Sequence, residues 1–200
     1  MLLNNLKKTL LATTVALLCA CNSEIDDLTK KQNTTHDDHE HATISSKGRL
    51  VISHADTANV SVFNADDNGL LEVFNTAHNL SGVYASPANH FAVLIQRADN
   101  YVEFIDGVLF CEDHDDHLHD YQQAPELSSF VLTNEKPTHF DNNETKAALF
   151  FDGNIDADIP ACFNLLSDES IEAGETLTTH SFENAMHVTA QTRGDTVMAY

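Results

Sequence analysis

The residues best suited to chemistry lie together in one short stretch, residues 111–121, which reads CEDHDDHLHDY. This His/Asp tract contains three histidines and five carboxylates, and no lysine or arginine within it neutralises them. If the tract is extended, Asp115, His117 and His119 share one face, because side chains alternate along a strand. If it is helical, His114 lies one turn away from His117. Either conformation places at least two potential metal ligands on one side of the chain.

Imidazole and carboxylate together form a ligand set that suits Zn²⁺ among the available divalent cations, and no thiolate is required. The sequence therefore predicts a zinc site whose candidate ligands in this tract are His114, His117, His119 and Asp120. The alternative is a solvated acidic loop in which the histidines bind nothing.

A second run of the same composition, HDDHEH, lies at residues 36–41 and supplies three auxiliary candidate ligands, His36, His39 and His41. The surrounding residues 21–46 are polar and lack periodic apolar positions, which predicts a flexible tether. Six of the twelve histidines fall in the two tracts. Random placement would rarely give this clustering, so it favours a metal-binding role for both tracts.

The charge balance restricts the partners. The 200 residues contain 10 Lys+Arg and 31 Asp+Glu, and the formal net charge is −21. Nucleic acid and anionic lipid surfaces repel such a chain, whereas cations are attracted to it. Nucleic-acid binding is therefore excluded, and contact with a membrane is expected only through a lipid anchor.

The N-terminus predicts the compartment. Residues 1–20 carry two lysines, then an apolar run too short to span a bilayer, as in a secretory signal peptide. The sequence LCAC at residues 18–21 resembles a bacterial lipobox, in which Cys21 is lipidated after cleavage. Asn22 follows it rather than aspartate, which points to the outer membrane. We thus expect a periplasmic lipoprotein; the alternative is cleavage without lipidation, which gives a soluble periplasmic protein.

Two further cysteines, Cys111 and Cys162, would then lie in an oxidising compartment. A disulfide between them is possible there. Two buried thiols are an equally good interpretation, and the sequence leaves both open.

From residue 47 onward the chain consists of short strand patterns separated by turn signals. The pattern of residues 49–56 recurs at residues 91–99 with an offset of 43 residues, and similar units begin at Ala147 and Thr196. A four-strand unit that repeats at this interval is typical of a β-propeller blade. We therefore predict an all-β domain over residues 47–200, with about three and a half blades of four-stranded antiparallel sheets. The His/Asp tract is predicted to be an insertion, and the chain to be part of a longer propeller, since propellers close with about four to eight blades.

Several segments together resemble the periplasmic zinc chaperones of the AztD type: residues 112–121, Pro137-Thr138-His139-Phe140, residues 148–154 and Ala185-Met186-His187. The resemblance extends from about Gly48 to Tyr200. It implies a β-propeller that carries zinc to the substrate-binding protein of a zinc ABC transporter. Residues 36–41 also resemble the mobile His/Asp segment of such chaperones. Two departures are the shorter chain and the predicted lipid anchor, since family members are commonly soluble in the periplasm.

Two further histidines, His139 and His187, open the first strand of consecutive predicted blades and are 48 residues apart. The first strand of a blade lines the central channel, so both are expected at the same end of the axis. Because the His/Asp tract precedes the blade of His139, we expect His117 and His119 to fold over the channel mouth toward this pair. The alternative is two strand-end histidines held by backbone hydrogen bonds.

Residues 152–158 resemble a calcium-binding loop, but the sixth position is Ala157 and the twelfth is Phe163, so a hairpin turn is predicted. The chain has no His-Glu-x-x-His and no Gly-x-Ser-x-Gly motif. The sequence therefore favours a non-enzymatic zinc-binding propeller that accepts zinc and delivers it. The alternatives are a metal-dependent hydrolase on a propeller and a non-catalytic propeller that binds a protein partner.

Overall fold

The computed structural model describes the backbone of residues 15–18, 48–114, 117–193 and 196–199, and the side chains of residues 48–109 and 122–189. The first sheet, blade 1, has the strand order β1-β2-β3-β4. Its strands are β1 (Val15–Leu18), β2 (Arg49–Ser53), β3 (Asn59–Asn64) and β4 (Leu70–Asn75). All neighbouring strands are antiparallel.

Blade 2 contains the insertion. The chain forms β5 (Gly82–Ala85), β6 (Phe91–Gln96), β7 (Tyr101–Asp106), β8 (Leu109–His114), β9 (His117–Gln122) and β10 (Glu126–Leu132). The sheet order is β10-β7-β6-β5, whereas β8 and β9 pair only with each other as a two-stranded hairpin. The His/Asp tract is thus an extended hairpin inserted between the third and fourth strands of this blade.

Blade 3 follows with the order β11-β12-β13-β14, and two strands of a further unit come after it. Their bounds are β11 (Pro137–Asn142), β12 (Ala147–Phe151), β13 (Ala161–Leu166), β14 (Thr178–Phe182), β15 (Ala190–Arg193) and β16 (Thr196–Ala199). The prediction of a propeller built from four-stranded antiparallel blades is confirmed.

The core lies between the faces of neighbouring blades, and the second strand of each blade explains why. All six residues of β6 are buried. Val93 and Ile95 pack with Leu149 of blade 3, while Ala92 and Leu94 pack with residues of blade 1. Because successive strand residues point to opposite faces, one apolar strand joins both neighbours.

Three details differ from the sequence prediction. The strand pattern of residues 49–56 does not begin a blade, because it forms β2, the second strand of blade 1, and β1 precedes it. The pattern of residues 91–99 ends at Gln96, because a 3₁₀ turn over Arg97–Asp99 and a left-handed Asn100 with φ of 58° reverse the chain there.

The third difference is an unpredicted helix, α1 (Asp168–Ala173). It is too short to show a helical apolar period, but its ends carry recognisable signals. Ser167 and Ser170 form a reciprocal capping box, and Gly174 ends the helix in a left-handed conformation.

Residues 15–18, within the predicted signal peptide, form β1 beside β2; cleavage and lipidation at Cys21 concern residues outside the described ones and stay predictions. Cys162 is a buried free thiol, and burial raises its pKa. The described part of the chain contains no helix with the length and apolarity that crossing a bilayer requires.

Candidate metal centre

The imidazoles of His139 and His187 lie side by side, with ring centroids 5.0 Å apart and planes at 82°. His139 lies in β11, next to a shift in the register between β11 and β12. His187 lies in the segment that joins β14 to β15 rather than at the start of a strand, so its ring comes from the connection between blade 3 and the next unit. Both side chains are exposed to solvent. The sequence predicted this neighbourhood; whether the rings bind a metal stays a prediction.

Asp152, directly after β12, orients one of the rings. Its Oδ1 lies 2.5 Å from His187 Nδ1. A carboxylate accepts, so Nδ1 carries the proton and Nε2 is the nitrogen left for a metal. A histidine that donates its other N–H to a carboxylate is the arrangement found behind zinc ligands, where it fixes the ring and raises its basicity.

Arg97 holds the same carboxylate from the neighbouring blade. It lies in the turn after β6, and its Nη2 donates to Asp152 Oδ2 over 2.6 Å. Its Nη1 donates to Thr138 Oγ1 and to the carbonyl oxygens of Lys136 and Pro137 at 3.4 and 3.5 Å. Arg97 thus fixes both Asp152 and the start of the strand that carries His139.

The electrostatic result is an ionised carboxylate. Partial burial raises the pKa of Asp152, but hydrogen bonds from Arg97, His187 and Thr138, with the Arg97 charge, outweigh it and lower the pKa overall. Asp152 is therefore a stable hydrogen-bond acceptor for His187 at neutral pH rather than a proton acceptor in a reaction.

Gly153 allows the segment that carries His187 to pack directly against the turn between β12 and β13. Its backbone N–H donates to the carbonyl oxygen of Met186 over 2.8 Å, and the N–H of Ala161 donates to that of Ala185 over 3.1 Å. A Cβ at Gly153 would lie 2.5 Å from the Ala185 oxygen and 2.7 Å from the Ala161 nitrogen, far inside contact distance. Only glycine fits here, so Gly153 determines where His187 is held.

The arrangement supplies two imidazoles with an outer carboxylate. Among the residues whose side chains the structure describes, no three His, Cys, Asp or Glu side chains converge as a metal site. Zinc takes three or four protein ligands in resident sites. Two histidines alone would leave coordination positions of Zn²⁺ open.

The β8–β9 hairpin holds the other predicted ligands, and its register shows how they are grouped. His114 pairs with His117, and Glu112 pairs with His119. Paired residues and alternate residues share a face, so positions 112, 114, 117 and 119 lie on one face of the ribbon. Asp120 pairs with Cys111 on the other face. Asp115 lies outside the described residues.

The base of the hairpin and the imidazole pair lie at opposite edges of the blades. The hairpin follows the end of β7 at Asp106, which pairs with Phe91 at the start of β6. Arg97 follows the other end of β6 and marks the edge where Asp152 and His187 lie. Six residues separate these edges by roughly 20 Å at about 3.3 Å per residue. The hairpin therefore begins at the edge opposite to His139 and His187, and whether the tract reaches toward this pair stays a prediction.

Sequence reasoning missed Asp152 and Arg97. Asp152 was assigned only to a hairpin turn, and the segment does form a turn, with a 3₁₀ helix over Ile155–Ala157. The available signal was its position immediately after the apolar strand β12, which pairs with the strand that carries the predicted ligand His139. The three tether histidines, His36, His39 and His41, lie outside the described residues.

Comparison with known proteins gives three informative similarities, while no protein-family model matches the chain. A curated protein named Zinc chaperone AztD, from Citrobacter koseri, is 37% identical over 113 residues, which is 56% of this chain and 26% of the relative. A crystal structure of Citrobacter koseri AztD superposes with a TM-score of 0.62 at 26% identity, and the structure of its apo form with 0.61 at 25%. Each superposition covers 76% of this chain and 39% of the solved chain.

These comparisons confirm the resemblance to AztD-type proteins that the sequence motifs indicated. The chain spans less than two fifths of the length of the relatives it matches.

Proposed function

We propose that this chain is a periplasmic zinc-binding protein that accepts zinc and delivers it to the substrate-binding protein of a zinc ABC transporter. The observation that carries the proposal is the pair His139 and His187, with Asp152 behind His187 Nδ1. The name of the AztD relative supports zinc as the cargo. Imidazole nitrogen favours Zn²⁺ over the hard cations Ca²⁺ and Mg²⁺, which prefer oxygen.

The geometry supports transfer rather than catalysis. A catalytic zinc needs a nearby general base with a free, basic carboxylate or imidazole. The carboxylate at this site, Asp152, is engaged by Arg97 on one oxygen and by His187 on the other. Its lowered pKa makes it a weak base. We therefore propose a non-enzymatic protein whose zinc a partner can remove by occupying the open coordination positions.

The hairpin is proposed as a second zinc-binding element. His114, His117 and His119 share one face with Glu112, so a single ion there would meet ligands from both strands. Asp120 fits this site less well, because its register position is on the other face. The base of the hairpin lies at the edge opposite to His139 and His187, and we propose that the two elements bind zinc independently.

The N-terminal segment completes the proposal. Ordering His36, His39 and His41 around zinc costs roughly 1–2 kcal/mol per backbone residue fixed, so the tether is expected to bind weakly and to assist capture or transfer. We further propose that Cys21 is lipidated and anchors the protein to the outer membrane.

Zinc exchange tests the proposed function directly. The purified mature chain, loaded with one equivalent of Zn²⁺, is mixed with a zinc-transport binding protein, and the zinc content of each protein is measured after separation. We expect transfer from the wild-type chain. The His139→Ala/His187→Ala variant should lose the ion at this edge. Matched controls are His54→Ala and His180→Ala, since these histidines contact Ser61 and Phe163 instead. Equal zinc binding by the double variant and the controls, with His114, His117 and His119 replaced by alanine in each, would refute the site.

A further inference from the structure

Arg49 is the buried cation whose position the zinc-binding proposal does not explain. Arg49 is only 2% exposed and is the first residue of β2 in blade 1. Burial lowers the pKa of its guanidinium, with the Asp66 charge opposing that effect. A buried arginine is costly unless its donors are used, so its contacts indicate what it is for.

Three hydrogen bonds of this guanidinium go to the base of the β8–β9 hairpin. Arg49 Nε donates to the carbonyl oxygen of Gly107 over 3.3 Å, two residues before β8 begins. Its Nη1 donates to Gln122 Oε1 over 3.0 Å, at the last residue of β9. Its Nη2 donates to the carbonyl oxygen of Gln123 over 3.0 Å. One planar side chain from blade 1 therefore holds both strands of a hairpin that belongs to blade 2.

The partner side chain shows that this contact is maintained at a cost. Gln122 Nε2 is buried and has no hydrogen-bond partner among the residues that the structure describes. Its amide is therefore placed to suit Arg49 rather than its own donor. The three acceptors are bound by three different nitrogens of a planar guanidinium. A lysine side chain has a single nitrogen, so it cannot reach all three.

We propose that Arg49 is a positioning residue for metal binding by the hairpin: by holding both of its ends it fixes how the face with positions 112, 114, 117 and 119 is presented. This inference rests on the proposed zinc binding by the hairpin. It assigns to blade 1 a role in a site that blade 2 carries. Arg49 touches no metal and acts only through the backbone and side chain at the base of the hairpin.

Hydrogen–deuterium exchange of the full chain tests the positioning without zinc. Arg49→Gln should speed exchange in peptides that cover residues 109–122 and leave β11 to β14 unchanged. Arg49→Lys should give the same pattern more weakly and guards against a misfolded glutamine variant. The control is Asp168→Asn, which removes a different buried contact between blades 2 and 3, to Ser86 and to the backbone N–H groups of Ala88 and His90. Unchanged exchange in the hairpin of both Arg49 variants would overturn the proposal.

Zinc titration against a chromophoric chelator tests the consequence for binding. In a background in which alanine replaces His139, His187 and the three tether histidines, only the proposed hairpin site remains. There Arg49→Gln should weaken zinc binding about 10-fold, the lower end of the loss that removal of outer contacts causes. With His114, His117 and His119 replaced by alanine instead, the same substitution should leave zinc binding unchanged.

The outcomes separate this inference from the proposed function. Equal weakening in both backgrounds would show a general loss of fold and overturn the positioning role. No weakening in the hairpin background would overturn it while leaving zinc binding intact. A hairpin that binds no zinc even with Arg49 present would overturn this inference and the second element, but not the site at His139 and His187.

Discussion

Replacing Asp152 by asparagine tests the central feature of the candidate site. The substitution keeps the size of the side chain and removes its charge. His187 Nδ1 would then face a neutral acceptor in place of a carboxylate 2.5 Å away. The ring would be less firmly oriented, and its Nε2 would be less basic toward zinc.

The expected loss follows from the contacts. Outer carboxylates of metal-bound histidines contribute about 10- to 100-fold to metal affinity. In this site the second oxygen is bound to Arg97 over 2.6 Å, which already neutralises part of the charge. We therefore expect the lower end, about 10-fold weaker zinc binding, or about 1.4 kcal/mol.

The measurement is competition for Zn²⁺ with a chromophoric chelator at pH 7.5, in a background in which the three hairpin histidines are replaced by alanine. Asp156→Asn is the matched control, because Asp156 is an exposed carboxylate in the same turn. Zinc affinity equal in the two variants, with both folded by circular dichroism, would show that Asp152 does not support a metal ligand.

Four further predictions concern protonation, packing and the tether. Zinc affinity should fall as the pH is lowered in chelator competition, because protons compete with Zn²⁺ for the imidazole nitrogens; a flat profile from pH 7 to 5 would contradict this. Because the pKa of Asp152 is lowered in the folded state, ionised Asp152 stabilises the fold at pH values above its unfolded pKa of about 3.9. This stabilisation is lost as the pH falls through the folded pKa, so the melting temperature of Asp152→Asn should fall less steeply below pH 4 than that of the wild type. Gly153→Ala should destabilise the fold by about 1–3 kcal/mol in urea unfolding and weaken zinc binding, whereas Gly69→Ala, which meets only the side chain of Asp67, should do neither. Stopped-flow zinc uptake should slow, with the site at His139 and His187 intact, when alanine replaces His36, His39 and His41; unchanged uptake would leave the tether without a role.

The sequence predicted the blades because their second strands are strongly apolar. The residues of β6 pack against both neighbouring blades, and all five residues of β12 are buried as well, so these hydrophobic runs recur clearly along the chain. The inner strands were harder to recognise. β5 has only four residues, GVYA, and β1 lies in a segment that also has the composition of a signal peptide.

The edge at which the hairpin emerges could not be predicted for a related reason. In an antiparallel blade, segments after the first and third strands lie at one edge, and those after the second and fourth at the other. The hairpin follows the third strand, β7, whereas His187 follows the fourth, β14. Predicting the edge from which the hairpin emerges therefore requires an exact count of strands, which the sequence patterns do not provide.

The partners of Asp152 were beyond sequence reasoning for a different reason. Arg97 is 55 positions away and His187 is 35. The position of Asp152 after an apolar strand marks it as a candidate, but no local pattern indicates which residues it contacts. Only the packing of one blade against the next shows which carboxylate meets an imidazole and a guanidinium together.

The chain of hydrogen bonds from Arg97 through Asp152 to His187 crosses from blade 2 to the far side of blade 3. Any ion that His187 binds is therefore thermodynamically linked to the contact between these sheets. Zinc at 100 times its dissociation constant would stabilise the assembled sheets by about 2.7 kcal/mol. The linkage is reciprocal, so a force that separates the sheets weakens the hold on the ion. A partner that strains this joint would promote unloading without offering a stronger ligand.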